Sequence, residues 1–168
     1  YACTYWPWIQ IEDVNNSRFT WQPPTLMAVE AMALTDNVAN PWFAPAGMNR
    51  GRANGTVIRG DIKPNKSGRD TLYQGRVNPI ATFIQEGVVI FGQKTLQMNS
   101  SALDRINVRR LLLQVRRLIA AASLTLVFEQ NDQTLRDQFL SRVEPILLNI
   151  QNQRGLSAFK VVMDDSNN

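Results

Sequence analysis

The 168-residue chain contains no histidine, which removes the commonest general base and metal ligand near neutral pH. Cys3 is the single cysteine, so neither an internal disulfide nor a cysteine-rich zinc site can form. A lone thiol among aromatic neighbours reads as a small buried hydrophobe. Charged residues are sparse, 19% against 44% hydrophobic, a balance typical of folded globular chains and not of disordered ones. No apolar run reaches the roughly 18–20 residues of a membrane span, because Arg116 and Arg117 interrupt the best stretch. A secretory signal pattern is missing, and the first residue is Tyr1, not methionine. The chain therefore reads as a piece of something longer, of a length that fits one domain.

Carboxylates are what remains for catalysis: Glu12 and Asp13, Asp61, Asp132 and Asp137, Asp164 and Asp165. Adjacent acids on a strand or helix point in different directions, so neither doublet is a ready acid/base pair. Asp132 fits a helix N-cap. Structural roles account for all of them, and no catalytic residue, cofactor or metal is expected. Gly47, Gly51 and Gly55 are too widely spaced for a phosphate loop and lack its Lys-Ser/Thr.

Taken in order, Tyr1 to Ile11 is rich in β-formers, with Pro7 demoting it to an edge or bulged strand. Asn15, Asn16 and Ser17 make a turn, and Arg18 to Trp21 returns as a second strand. Thr25 to Ala39 is a small-residue helix with Leu26, Val29, Ala33 and Met32 as its packing face. Asn40 to Gly60 is a Pro- and Gly-punctuated loop whose Trp42 and Phe43 argue for ordered docking. A short strand falls near Thr56 to Arg59. Ser67 and Asp70 then open a short helix to about Arg76. Asn78-Pro79 restarts extended structure, and Gly87 to Phe91 reads as a buried central strand. A second long helix ends near Gln153, with Leu135, Phe139, Val143, Ile146 and Ile150 on one face, Pro145 inside it and Gly155 as its C-cap. Phe159 to Met163 reads as a last strand. The fold class is α/β (α+β), a mixed sheet packed with several helices.

Ser101 to Glu129 is the longest helix-compatible run. Ser101 and Asp104 have the spacing of a capping box. Val108, Leu111, Leu112, Val115, Leu118, Ile119 and Ala122 share one arc. Leu124 to Phe128 is β-prone and leaves the end of this element open. Arg105, Arg109 and Arg116 form one stripe and Arg110 and Arg117 another. Residues 104–117 carry a net +4 and residues 50–76 a net +5, against −3 for 1–49 and −2 for 118–168. Such segregation suits either a nucleic-acid-binding module or a subunit whose basic face meets an acidic face of its neighbour. Apolar residues between the stripes and the want of interleaved aromatics favour protein ion pairs. Arg110 and Arg117 could also be merely solvated.

Seven segments together resemble the C-terminal part of bacteriophage contractile tail sheath proteins. They are YWPWIQI at Tyr5, PWFAPAGMNRG at Pro41, TLYQGRVNPI at Thr71, GVVIFGQKTLQ at Gly87, SALDRINVRRLLL at Ser101, FEQND at Phe128 and FKVVMDDSNN at Phe159. They are collinear with the family and cover nearly the whole chain. Trp42, Pro45, Gly47, Asn78, Pro79, Gly92 and Asn107 are its motif positions here. The sequence departs from the family at Phe91, commonly Trp, at Lys94, commonly Arg, at Gln130, commonly Pro, and at Arg116, often an acid.

The resemblance implies a non-catalytic virion protein, assembled in the host cytoplasm, that stacks as hexameric rings of a homo-oligomer around an inner tail tube. Contraction, triggered from the baseplate, would drive the tube through the host envelope. A pyocin-type injection system is the alternative setting. Implied partners are other sheath subunits, the tail tube protein, and baseplate and tail terminator proteins, with no membrane insertion and no direct nucleic-acid contact. Residues 1–168 would be the core domain, with both strand-exchanging terminal arms absent. Inter-subunit contacts are expected at Arg105, Arg109, Arg110, Arg116 and Arg117, and tube contacts at Arg136 and Arg142.

Overall fold

A computed structural model describes residues 2–164. Tyr1 and residues 165–168, including Asp165 of the Asp164/Asp165 doublet, lie outside the described residues. The strands are β1 (Thr4–Trp6), β2 (Ile9–Asp13), β3 (Arg18–Gln22), β4 (Val57–Gly60), β5 (Val77–Phe83) and β6 (Gly87–Ile90). The helices are α1 (Thr25–Val38), α2 (Gly47–Arg50), α3 (Lys66–Gln74), α4 (Ile106–Ser123) and α5 (Gln133–Asn152). The α/β class holds, but the strands form two three-stranded sheets, ordered β1-β5-β6 and β3-β2-β4. The chain divides into two compact units, Tyr1–Arg110 and Leu111–Asn168.

Pro7 explains the split between the sheets. It follows a cis Trp6–Pro7 bond and separates β1, an edge strand pairing parallel with β5, from β2, which lies between β3 and β4. A bulge between Gln10 and Ile11 distorts the β2–β4 ladder, as a proline-flanked strand allows. β6 is buried at Val88, Val89 and Ile90 as expected, but Phe91 lies beyond its end and is exposed, and β5, not β6, is central in the sheet. The outer edge of β6 is instead covered by the chain at Gly51–Ala53, where Ala53 N–H donates to Val88 O and Ile90 N–H to Gly51 O, both at 2.8 Å. That pairing removes an edge that would otherwise invite aggregation.

The first unit's core is Tyr5, Ile9, Met27, Ala28, Ala31, Ile80, Val88, Ile90 and Ile106. Of the expected packing residues of α1 only Met32 lies against it, half-buried; the helix enters the core by another face. Met27, Ala28, Ala31 and Thr35 are buried, while Leu26 and Val29 are exposed at 48% and 65% and Ala33 is also exposed. Small side chains let the helix approach closely, and the hydroxyl of Thr35 is satisfied by Ala31 O at 2.7 Å.

Three helices also begin or end differently from expectation. α3 is capped by Asn65, whose Oδ1 accepts from Gly68 N–H at 2.7 Å, not by Ser67. The long run from Ser101 breaks into a 3₁₀ turn (Ala102–Asp104), α4, and a second 3₁₀ turn (Leu124–Leu126), so the β-prone LTLVF is not a strand but a 3₁₀ turn that runs into a turn at Val127 and Phe128. α5 ends in a Schellman arrangement: Gly155 N–H reaches Ile150 O at 2.8 Å and Arg154 N–H reaches Gln151 O at 2.9 Å. The left-handed residue is Arg154, at φ 64°, and not Gly155. Asp132 does cap α5, accepting from Leu135 N–H at 2.8 Å. Phe159–Met163 is irregular backbone, because a strand exists only by pairing and no strand of the described residues lies beside it. Among the described residues no helix is long and apolar enough to cross a membrane.

Candidate functional site

Asn78, wholly buried on β5, ties three segments together. Its Nδ2 donates to Thr4 O at 3.1 Å and Lys94 O at 2.8 Å, and its Oδ1 accepts from Lys94 N–H at 2.7 Å. Only an amide side chain offers donors and an acceptor in this geometry. Gly92 leaves room for it: a Cβ there would stand 2.9 Å from Asn78 Oδ1 and 3.0 Å from Pro79 Cδ. The loop at 40–60 is pinned by related means. Asn107 Nδ2 donates to Trp42 O at 3.3 Å, Pro45 is fully buried, and Gly47 takes φ 79° at the start of α2. All seven motif positions thus lie in the first unit at backbone junctions.

Beside this pin is a charge cluster around Asp104, which is 5% exposed. Its carboxylate accepts from Arg76 Nη1 at 2.9 Å and pairs with Arg105 Nε at 3.1 Å. The Arg76 hydrogen bond, with Arg105 and Lys94 adding charge, holds Asp104 below the usual carboxylate range against the opposing effect of burial. Burial lowers the Lys94 ammonium, and Arg76 and Arg105 lower it further. Lys94 Nζ donates to Tyr73 O at 2.9 Å and lies 4.0 Å from the Tyr73 ring centroid. The capping box is therefore only half made. Ser101 Oγ accepts from Leu103 N–H at 3.2 Å, but the carboxylate of Asp104 is engaged by arginines instead.

Of the five arginines expected at subunit contacts, three are engaged within the chain. Arg105 donates to Tyr73 Oη, and Arg109 to Leu103 O at 2.8 Å and to Gln97 Oε1. Arg110 bonds Asp36, while its Nη1 is buried without an acceptor. Arg116 and Arg117 are exposed and make no ion pair among the described residues. On α5, Arg136 Nε approaches Asn131 Oδ1 at 3.5 Å, and exposed Arg142 donates to Thr125 Oγ1 and to Ala122 O. Val143, Leu147 and Ile150 are its buried residues. Sequence reasoning missed Arg76, Tyr73 and Asp36 as partners. Arg110 and Asp36 are 74 positions apart, and no periodicity reports a contact of that kind.

Chemically the arrangement positions backbone and presents charge. Among the described residues no group of three His, Cys, Asp or Glu side chains could hold a metal ion.

No family model matches the chain. The tail sheath protein of Vibrio phage KVP40 is 40% identical over 156 residues, covering 93% of this chain and 23% of that protein. The tail sheath protein of Enterobacteria phage T4 is 35% identical with the same coverage. The sheath complex of an extracellular contractile injection system, PVC, in its contracted state matches with TM-score 0.83 and 25% identity. That match covers 95% of this chain and 43% of the other. The contracted helical sheath of the anti-feeding prophage shares the fold, with TM-score 0.80 and 24% identity over 95% of this chain and 42% of its own. The class is that of contractile sheaths. Within it, the chain belongs to the tail sheath protein family, and it spans about a quarter of the length of the curated relatives it matches.

Proposed function

We propose that this chain is the core domain of a structural, non-catalytic sheath subunit, a virion component of a contractile phage tail. In this reading subunits polymerise as hexameric rings around an inner tail tube, join the baseplate and the tail terminator, and contract to drive the tube through the host envelope. The observation that carries it is the 40% identity to a phage tail sheath protein over 93% of the chain. The buried Asn78 junction and the Asp104 cluster keep the first unit rigid, so that contraction exchanges contacts between subunits and leaves its core unchanged. Arg116 and Arg117 lead the inter-subunit contacts, with Arg105, Arg109 and Arg110 beside them. Arg136 and Arg142 face the tube, and reversing both would impair assembly on it.

A pyocin-type injection system is a second setting, favoured by the likeness to the PVC sheath complex. Nucleic-acid binding fits less well, because the chain's own acceptors take up Arg105, Arg109 and Arg110 and leave no continuous basic stripe. Electron microscopy of the full-length protein tests the proposal. Rings or striated cylinders are expected, and monodisperse monomers at high concentration would overturn it.

A further inference from the structure

The tip between α4 and α5 presents Phe128 fully to solvent, at 101% relative exposure, with a backbone φ of 74°. A bulky aromatic residue is rare in the left-handed region, and such strain collects where a side chain must be displayed. Leu124 and Val127 beside it are exposed at 72% and 52%. Glu129 and Asp132 follow, and no basic residue falls between positions 118 and 135. The tip is thus an apolar knob with two acids at its base, while Arg142 and Arg136 of α5 reach Thr125 and Asn131 on its flanks.

A complementary cleft of about 390 Å³ lies in the first unit, lined by Lys66, Arg69, Asp70, Tyr73, Pro79 and Phe91. The Arg69 guanidinium sits 5.6 Å from the Phe83 ring centroid and 5.8 Å from that of Phe91. It is held there by a 3.1 Å hydrogen bond from Nη1 to Pro64 O. Neither Arg69 nor Lys66 makes an ion pair among the described residues, and Phe91 remains 46% exposed. The cleft therefore offers an aromatic wall, a preorganised cation and a second free base, two positive charges against the single acid Asp70.

We propose that the Phe128–Glu129 tip of one copy docks in the Lys66/Arg69/Phe91 cleft of a second copy. The Phe128 ring extends the existing Arg69–Phe91 stack, and the Glu129 carboxylate pairs with Lys66. Knob and cleft are different surfaces of one chain, so the contact is heterologous and links copy to copy head to tail, within a ring or along a helix. This rests on the sheath reading above and assigns one of its lattice contacts.

The test uses the full-length sheath chain, with cylinder formation followed by sedimentation and electron microscopy. Phe128→Asp is expected to raise the protein concentration needed for cylinders by about tenfold or more, as loss of a central aromatic anchor does. Glu129→Lys and Lys66→Glu should each weaken assembly, and combining them should restore it, which a folding defect could not do. The contact is overturned if Phe128→Asp polymerises like the wild type, or if the double variant is as weak as the singles. It is also overturned if Phe128→Asp forms cylinders alone and fails only on purified tube. A wild-type protein that forms no cylinders would refute the sheath reading itself, and this contact with it.

Discussion

Replacing Asn78 by alanine would deprive the carbonyls of Thr4 and Lys94 and the amide of Lys94 of their partner at a wholly buried position. Buried polar groups left unsatisfied cost about 1–3 kcal/mol each. The variant is expected to lose about 3 kcal/mol or more, read as a lower midpoint in urea unfolding with little change in slope. Asp104 makes a pH prediction. Its folded-state pKa lies below the ordinary value of roughly 4, so the unfolded chain takes up a proton more readily. Its stabilisation is complete above that ordinary value and fades as pH falls through it towards the lowered one. Asp104→Asn should flatten this acid limb, and stability of both proteins measured between about pH 2 and 6 checks it. The importance of Asn78 and Gly92 was legible as motif positions, but their mutual fit was not. It depends on a 2.9 Å approach that would close on any side chain at position 92.

At the scale of elements, what the sequence announces best are strong periodic stripes and local caps. α5 buries Val143 and Ile150 on the expected face, and Asp132 opens it as its residue type foretells. α1 defeats the same logic because Leu26, Met27, Ala28, Val29, Ala31, Met32, Ala33 and Leu34 make it apolar nearly all round. With no polar side to mark solvent, packing picks the face that allows closest approach. The long helix begins late for a tertiary reason. Arg105 is drawn into extended backbone, φ −103° and ψ 140°, where it bridges Lys94, so helical hydrogen bonding waits until Ile106. The end of α5 gives a prediction of opposite sign. Arg154 occupies a left-handed position that glycine would take without a Cβ clash. Arg154→Gly is expected to stabilise the chain by about 0.5–1 kcal/mol, after the greater freedom glycine gains in the unfolded state. A raised thermal midpoint would show it; a lowered one would mean that contacts of the arginine side chain outweigh the strain.

For the whole molecule, the uneven charge divides into two populations with different duties. Arg76, Arg105 and Arg110 sit beside acids of their own chain, so they serve the fold's stability, and Arg105 and Arg110 are secondary to Arg116 and Arg117 in the lattice contacts. Arg116 and Arg117 are exposed. Reversing both to glutamate removes two attractions and adds two repulsions in any acid-facing lattice contact, yet it touches nothing buried. The stability of the isolated chain should therefore shift by no more than about 0.5 kcal/mol, while polymerisation of the full-length protein should need far more protein, most visibly at low salt where exposed charges are least screened. Arg110→Glu supplies the contrast, since it sets an acid against Asp36 and leaves the surface near Met32 without its donor. That variant should lose stability before any assembly defect is read. Cylinder formation by Arg116→Glu/Arg117→Glu at wild-type concentrations and salt dependence would assign both arginines to solvent and move the lattice contact elsewhere on the subunit.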